Sequence, residues 1–189
     1  MANTTLLLVR HGETVDNRNQ IMQGQTPGQL TAHGRQQAEE VAQRLANTPI
    51  DAFVASDLRR AIDTCTIIAQ PHGATVVTTP LLRERDWGSI TGRRIEEVIR
   101  TANEAPGVES VEAMFARARI LLDVIRTDYP DAQRVLLVSH GLFLRVLQAT
   151  MLGTEMKAIP PMKNLEVRCL QLVSPLRDLP AADIEATDA

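Results

Sequence analysis

The chain has 189 residues, 44% hydrophobic and 23% charged, with a net charge of −3, the balance of a globular domain long enough to bury a core. Its basic residues are scattered and its aromatics make up only 3%, which argues against a nucleic-acid partner. No apolar run reaches membrane-spanning length and no basic segment opens a signal-like stretch, so a cytoplasmic protein without a membrane partner is expected. Cys65 and Cys169 lack metal or redox spacing and read as small core hydrophobes.

Thr5-Leu6-Leu7-Leu8-Val9 is an unalternating aliphatic run, the pattern of a parallel strand buried on both faces. Arg10-His11-Gly12 follows at its end. The loop from Gly12 to Gln29, rich in Asn, Gln, Gly and Thr, is long for a connection, and ordered loops of that length are commonly functional. Behind Thr31 as a cap, Ala38, Val41, Ala42 and Leu45 recur at helical spacing. Asp51 to Ala55 predicts the next strand. Leu58, Ala61, Ile62, Cys65, Ile68 and Ala69 predict the inner face of a helix that ends near Pro71 and Gly73.

Thr75 to Thr79 is β-branched and strand-like, and an irregular charged stretch runs from Arg83 to Arg94. Ile95 to Thr101 predicts a short helix and Asn103 to Gly107 a turn. The clearest helix is 109–128, with Val111, Met114, Phe115, Ala118, Leu121, Leu122 and Ile125 as its stripe. Val135 to Val138 is a second unalternating strand, with His140-Gly141 beyond it. An apolar helix then runs through Leu152, and Leu165 to Val173 predicts the last strand. The acidic, proline-containing tail, 174–189, predicts poor order. Alternating β and α units predict one domain over 1–173, a three-layer α/β/α sandwich with a mostly parallel sheet. Met151, Leu152, Met156 and Ile159 are candidates for core or for a homodimer interface.

Ligands bind at the carboxyl ends of strands in such sheets. Two histidines delivered to that edge can share one pocket, and imidazole is a nucleophile near neutral pH. A lone strand-end histidine, by contrast, is ordinarily a packed or surface residue. Ser56-Asp57-Leu58-Arg59-Arg60-Ala61 lies at a strand-to-helix junction, where free amides and a planar guanidinium both favour a phosphoryl group. Arg59 reads as solvated, and Arg60, next to Ala61, as inward-turning. In Leu82-Arg83-Glu84-Arg85-Asp86-Trp87-Gly88, either Glu84 or Asp86 can supply the proton that ester cleavage needs, although charge runs are usually solvated loops. Arg83, Arg85, Arg93 and Arg94 point to a second anionic group on the substrate.

Taken together, LLLVRHGET at 6–14, SDLRRAIDT at 56–64, LRERDWG at 82–88 and VSHG at 138–141 resemble the histidine phosphatase superfamily, in its phosphoglycerate-mutase-like branch. Asn17, Gln23-Gly24, Leu30-Thr31, Gly34, Gly92 and Glu109-Ser110 add to the resemblance, which spans residue 5 to about 173. It implies His11 as the nucleophile that becomes a phosphohistidine, and Arg10, Arg60 and His140 as holders of the phosphoryl oxygens near the Gly141 amide. Glu84 is then the proton donor, Asn17, Gln23 and Gly24 line the phosphate and substrate site, Arg85 can grip a substrate anion, and Asp86 is assigned no role in the chemistry, a structural one being favoured. No metal or cofactor is called for, because the arginines supply the positive charge.

The resemblance implies hydrolysis of a small-molecule phosphomonoester, as in broad-specificity phosphatases. In the family's mutases a long insertion covers the site and brings a pair of arginines. Here about 17 residues, a short lid at about 93–110, separate Gly92 from Ser110, and Ile95 stands where a lysine is expected. Relatives also carry Asp and Pro at the positions of Pro27 and Gln29. The alternatives are a phosphoglycerate mutase, a phosphoprotein phosphatase, or a non-catalytic phosphate-binding protein on the same fold.

Overall fold

The computed structural model describes residues 4–173, so the tail from Ser174 lies outside the described residues. Five strands, β1 (Thr4–Arg10), β2 (Ala52–Ser56), β3 (Val76–Thr79), β4 (Arg134–Ser139) and β5 (Val167–Leu172), form one sheet in the order β3-β2-β4-β1-β5. The first four are parallel, and β5 runs antiparallel on the outside of β1.

The aliphatic runs face both ways. Leu7, Val9, Phe53, Ala55, Leu136 and Val138 pack under α2 (Ala32–Leu45) and α3 (Arg59–Ala69), reached by Ala38, Val41, Ala61, Cys65 and Ile68. Leu6, Leu8, Val54, Val135 and Leu137 point the other way, into α5 (Val111–Asp128) and α6 (Gly141–Leu152). That is the three-layer α/β/α sandwich, and burial on both faces is why β1 and β4 show no polar alternation. Among the described residues no helix is long and apolar enough to cross a membrane.

Right-handed crossovers between the parallel strands explain which face α2, α3 and α5 take. The chain moves from β1 outward to β2 and β3 with α2 and α3 on one face, then reverses to β4 and β5 with α5 and α6 on the other. The neighbours β1 and β4 therefore feed connections that leave to opposite faces. A crevice opens between their carboxyl ends, at the switch point where such sheets bind ligands.

The predicted loop after β1 is more regular than its composition indicates. It holds one helical turn, α1 (Val15–Arg18), closed by a Thr14–Asn17 capping box, and Thr14 pairs with Leu30 across the loop. Thr31 caps α2 and accepts from the Gly34 amide. At Gly34 the start of α2 presses on the chain next to His11: an added Cβ would lie 2.2 Å from the Glu13 carbonyl oxygen. Alanine gains about 1 kcal/mol of helix propensity, but overpacking against backbone that cannot rotate away costs about 1–3 kcal/mol. Gly34→Ala is therefore expected to lower the denaturant midpoint at unchanged slope; a raised midpoint would show that the contact yields freely.

Residues 87–108 carry a small core of their own. Ile90, Val98 of α4 (Ile95–Val98) and Ala102 pack with Met22 from the first loop, flanked by Trp87, Ile95, Ala105 and Val108. One sequence expectation needs correction. Cys65 is buried, but Cys169 is exposed: on β5, Leu170 and Leu172 join the α5–α6 core, while on the opposite face Val167 packs against the α2–α3 core and Cys169 and Gln171 are exposed. Of the apolar residues held open for core or interface, Met151, Ile159 and Met156 pack in the core, and Leu152 is 40% exposed.

Candidate active site

Register brings the two histidines together. β1 and β4 pair so that Arg10 sits beside Ser139, and the next residue on each strand is His11 and His140. The His11 amide donates to the Ser139 carbonyl at 3.0 Å, and the two rings lie 5.1 Å apart, centroid to centroid. β2 pairs with the other side of β4, Ala55 beside Val138, so the start of α3 and its Arg60 reach the same edge.

His11 Nδ1 lies 2.8 Å from the carbonyl oxygen of Gly12, which only accepts; the proton therefore sits on Nδ1, and Nε2 carries a lone pair. Arg60 confirms that polarity. Its Nε–H is shared between His11 Nε2 at 3.3 Å and His140 Nδ1 at 3.2 Å, so both nitrogens accept and both imidazoles are neutral. The rest of the guanidinium is gripped by the first loop: Nη2 donates to the Gly24 carbonyl at 2.8 Å, and Nη1 to those of Thr26 and Pro27. Arg10 Nη1 donates to the Met162 carbonyl at 2.7 Å. Two buried N–H donors, Arg10 Nε and His140 Nε2, have no partner among the described residues. Buried donors of this kind call for an acceptor. Around an unprotonated His11 Nε2, such donors fit an anion.

The acid sits on the helix that follows His140. Glu84 Oε2 accepts from the Leu142 amide at 3.2 Å, and Oε1 from those of Phe143 at 3.1 Å and Arg85 at 3.0 Å. Its carboxyl thus rests on free amides of the first turn of α6. It is also the leading acidic neighbour of both Arg10 and Arg60.

A family model described as the histidine phosphatase superfamily (branch 1) matches residues 6–175. The chain belongs to that superfamily. It is 40% identical to a probable phosphoglycerate mutase GpmB of Erwinia tasmaniensis, with 77% of this chain and 74% of that protein covered. Among solved structures it is similar to mycobacterial hydrolase 1, at a TM-score of 0.84 and 28% identity over 93% of this chain and 95% of the other. It is also similar to a mycobacterial glucosyl-3-phosphoglycerate phosphatase in complex with VO3, at 0.79 and 26% over 94% and 100%.

Of the other residues that the resemblance to this superfamily singles out, Gly141 lies against the Arg10 guanidinium, 3.4 Å from Cζ for an added Cβ. Gln23 is buried beside Arg60, its Oε1 without a partner among the described residues, and Gly24 contributes its carbonyl to Arg60. Asn17 closes the α1 capping box. Asp86 accepts from the Gly88 amide at 2.8 Å, a turn-forming contact.

The expected second anion site does not assemble as four free cations. Arg85 is buried, with Nε on the Glu109 carbonyl and Nη1 on Asn103, its guanidinium 4.7 Å from the Trp87 ring. Arg83 makes a two-point pair with Asp57, which raises its pKa, and Arg93 and Arg94 lie within 3.5 and 3.8 Å of Glu97 and Glu96.

Three supporting residues escape a sequence reading. The Asn164 amide donates to the His11 carbonyl at 2.8 Å and lies 3.4 Å from Asn17 Oδ1; Thr64 Oγ1 accepts from the Gly12 amide at 3.1 Å; and Arg117 braces the Glu84 loop. Asn164 sits behind Pro160-Pro161 in a connection whose composition marks only a turn. Thr64 lies in a quoted motif, yet nothing in its spacing points to His11.

Burial, reinforced by the arginines, holds both His11 and His140 well below the ordinary imidazole value of 6.5. Burial also lowers Arg60, to about 10. An imidazole kept neutral in the fold gains a proton on unfolding in acid. Its contribution to stability is therefore full above 6.5 and is lost as pH falls below that value, by up to about 1.4 kcal/mol per pH unit for each histidine. The melting temperature is expected to fall from pH 7 to 5.5, and a flat profile would show that the two rings are not held neutral.

Proposed function

We propose that this chain hydrolyses the phosphomonoester of a small metabolite in two steps, through a phosphohistidine on His11. The observation that supports this best is the buried, unprotonated His11 Nε2 among the donors of Arg10, Arg60 and His140. In the first step the Nε2 lone pair attacks phosphorus in line and the ester P–O bond breaks. Glu84, in its protonated form, gives its proton to the departing alkoxide. In the second step water attacks the phosphohistidine, Glu84 takes a proton from that water, and the P–N bond breaks. One water is consumed, and the alcohol and inorganic phosphate are released.

Arg10, Arg60 and the His140 Nε2–H surround the phosphoryl oxygens, so the charge that moves during transfer is met by fixed donors. That scheme asks for no metal, because the guanidinium groups supply the positive charge. Asn17, Gln23, Gly24 and the Gly141 amide line the phosphate, and 93–110 serves as a short lid. Hydrolysis is favoured over the mutase activity named for the relatives by the state of the surrounding arginines. A phosphoglycerate carries a carboxylate as well as its phosphate, and Arg83 and Arg85 are engaged by Asp57, Asn103 and the Glu109 carbonyl.

Phosphate release from a panel of esters in EDTA tests this reading, with p-nitrophenyl phosphate, glycerol phosphates and 3-phosphoglycerate as substrates. Release from several esters is expected. Conversion of 3-phosphoglycerate to its isomer without release would establish the mutase instead.

A further inference from the structure

We propose that Arg117, paired with Glu109, is the positioning residue that holds the Glu84 carboxyl at the ester oxygen. The inference rests on Glu84 being the proton donor proposed above. Glu84 sits in a segment, 83–87, that belongs to no helix or strand. Such a segment needs outside anchors to keep a carboxyl within hydrogen-bond reach of a leaving oxygen. Arg117, from the middle of α5, anchors the chain before it: Nη1 donates to the Leu81 carbonyl at 3.0 Å and to the Arg83 carbonyl at 2.7 Å.

The rest of that guanidinium engages Glu109, with Nε on Oε1 at 3.0 Å and Nη2 on Oε2 at 2.8 Å. Glu109 anchors the chain after the acid, because the Asp86 amide donates to its Oε2 at 3.3 Å and its own amide donates to the Asp86 carbonyl at 2.9 Å. One ion pair therefore grips the backbone on both sides of Glu84. It also reaches the far end of the carboxylate, since Cζ of Arg117 lies 4.2 Å from the centre of the Phe143 ring, and the Phe143 amide donates to Glu84 Oε1.

Both partners of the pair are largely shielded, with side chains 15% and 16% exposed, unlike an ordinary surface pair. The pair adds no net charge beside the pocket. The arrangement needs a planar fork that bridges a carboxylate and two carbonyls while lying on an aromatic face, which lysine cannot reproduce.

The test compares kcat/KM, which reports the first transfer step, on an alkyl phosphate and on p-nitrophenyl phosphate. An alkoxide needs a proton to leave; p-nitrophenolate does not. Arg117→Met is expected to lose about 10- to 100-fold on the alkyl ester, a large part of what a general acid contributes, and at least about tenfold less on the aryl ester. Glu84→Gln is expected to show the same selectivity more strongly, and Glu84→Gln with Arg117→Met to be no slower than Glu84→Gln alone. Should Arg117→Met fold poorly, Arg117→Lys keeps the charge without the fork and is expected to show the same selective loss. Equal loss on both esters by the Arg117 variant that folds, or a double variant in which the losses multiply, overturns the proposal. Equal loss on both esters by Glu84→Gln overturns the reading of Glu84 as well.

Discussion

His11→Ala is expected to abolish turnover of every ester, by ~10^4-fold or more in kcat/KM, and to leave no trappable phosphoryl group on the protein. The magnitude follows from what the side chain is asked to do. Removing a donor weakens the stabilisation of moving charge, whereas removing Nε2 removes the bond-forming atom and with it the covalent route. Because Arg10, Arg60 and His140 remain, the variant should still bind phosphate or vanadate, visible as protection against thermal unfolding. Mass spectrometry of rapidly quenched enzyme, kept alkaline because the P–N bond is acid-labile, checks the intermediate. A His11→Ala variant within tenfold of the native rate would sink the phosphohistidine route.

Arg60→Ala and Arg59→Ala, one residue apart, are expected to differ by about 10^3-fold in activity. Arg60 is 1% exposed, contacts both histidines and holds the Gly24–Pro27 loop. Loss of an arginine that faces a transferring phosphoryl group costs about 10^3-fold or more. Arg59 has its side chain 68% exposed and pairs with Asp63 one turn along α3, at 2.7 Å; an exposed helical pair contributes about 0.3–0.5 kcal/mol. Arg60→Lys separates charge from geometry: it keeps the cation and loses the fork, and it is expected to remain severely impaired. Similar rates for Arg59→Ala and Arg60→Ala would overturn the assignment of Arg60 to the phosphoryl group.

Much of this arrangement is legible in the sequence because it follows from burial. An unalternating strand is covered on both faces, two such strands belong in the middle of a sheet, and residues just past their ends meet at one edge. That reasoning brings His11 and His140 together and turns Arg60 inward beside Ala61. Hydrophobic pattern carries no information on strand direction, so the antiparallel course of β5 and the exposure of Cys169 on it are invisible beforehand. Charge counts fail for a related reason. Arg83 and Arg85 look available in a charged loop, but their partners Asp57 and Glu109 arrive from elements far along the chain. Arg117 lies outside the apolar stripe of α5, and its long stem carries the guanidinium over Phe143 and back to the loop.

The antiparallel course of β5 also settles where the described chain starts and stops. Thr4 pairs with Leu172, so both ends emerge side by side at the amino edge of β1, while the histidines stand at its carboxyl edge. A fusion partner or an immobilising tether joined directly at Thr4 or Val173 would leave from the edge of the sheet opposite the pocket, with the reacting face turned to solution.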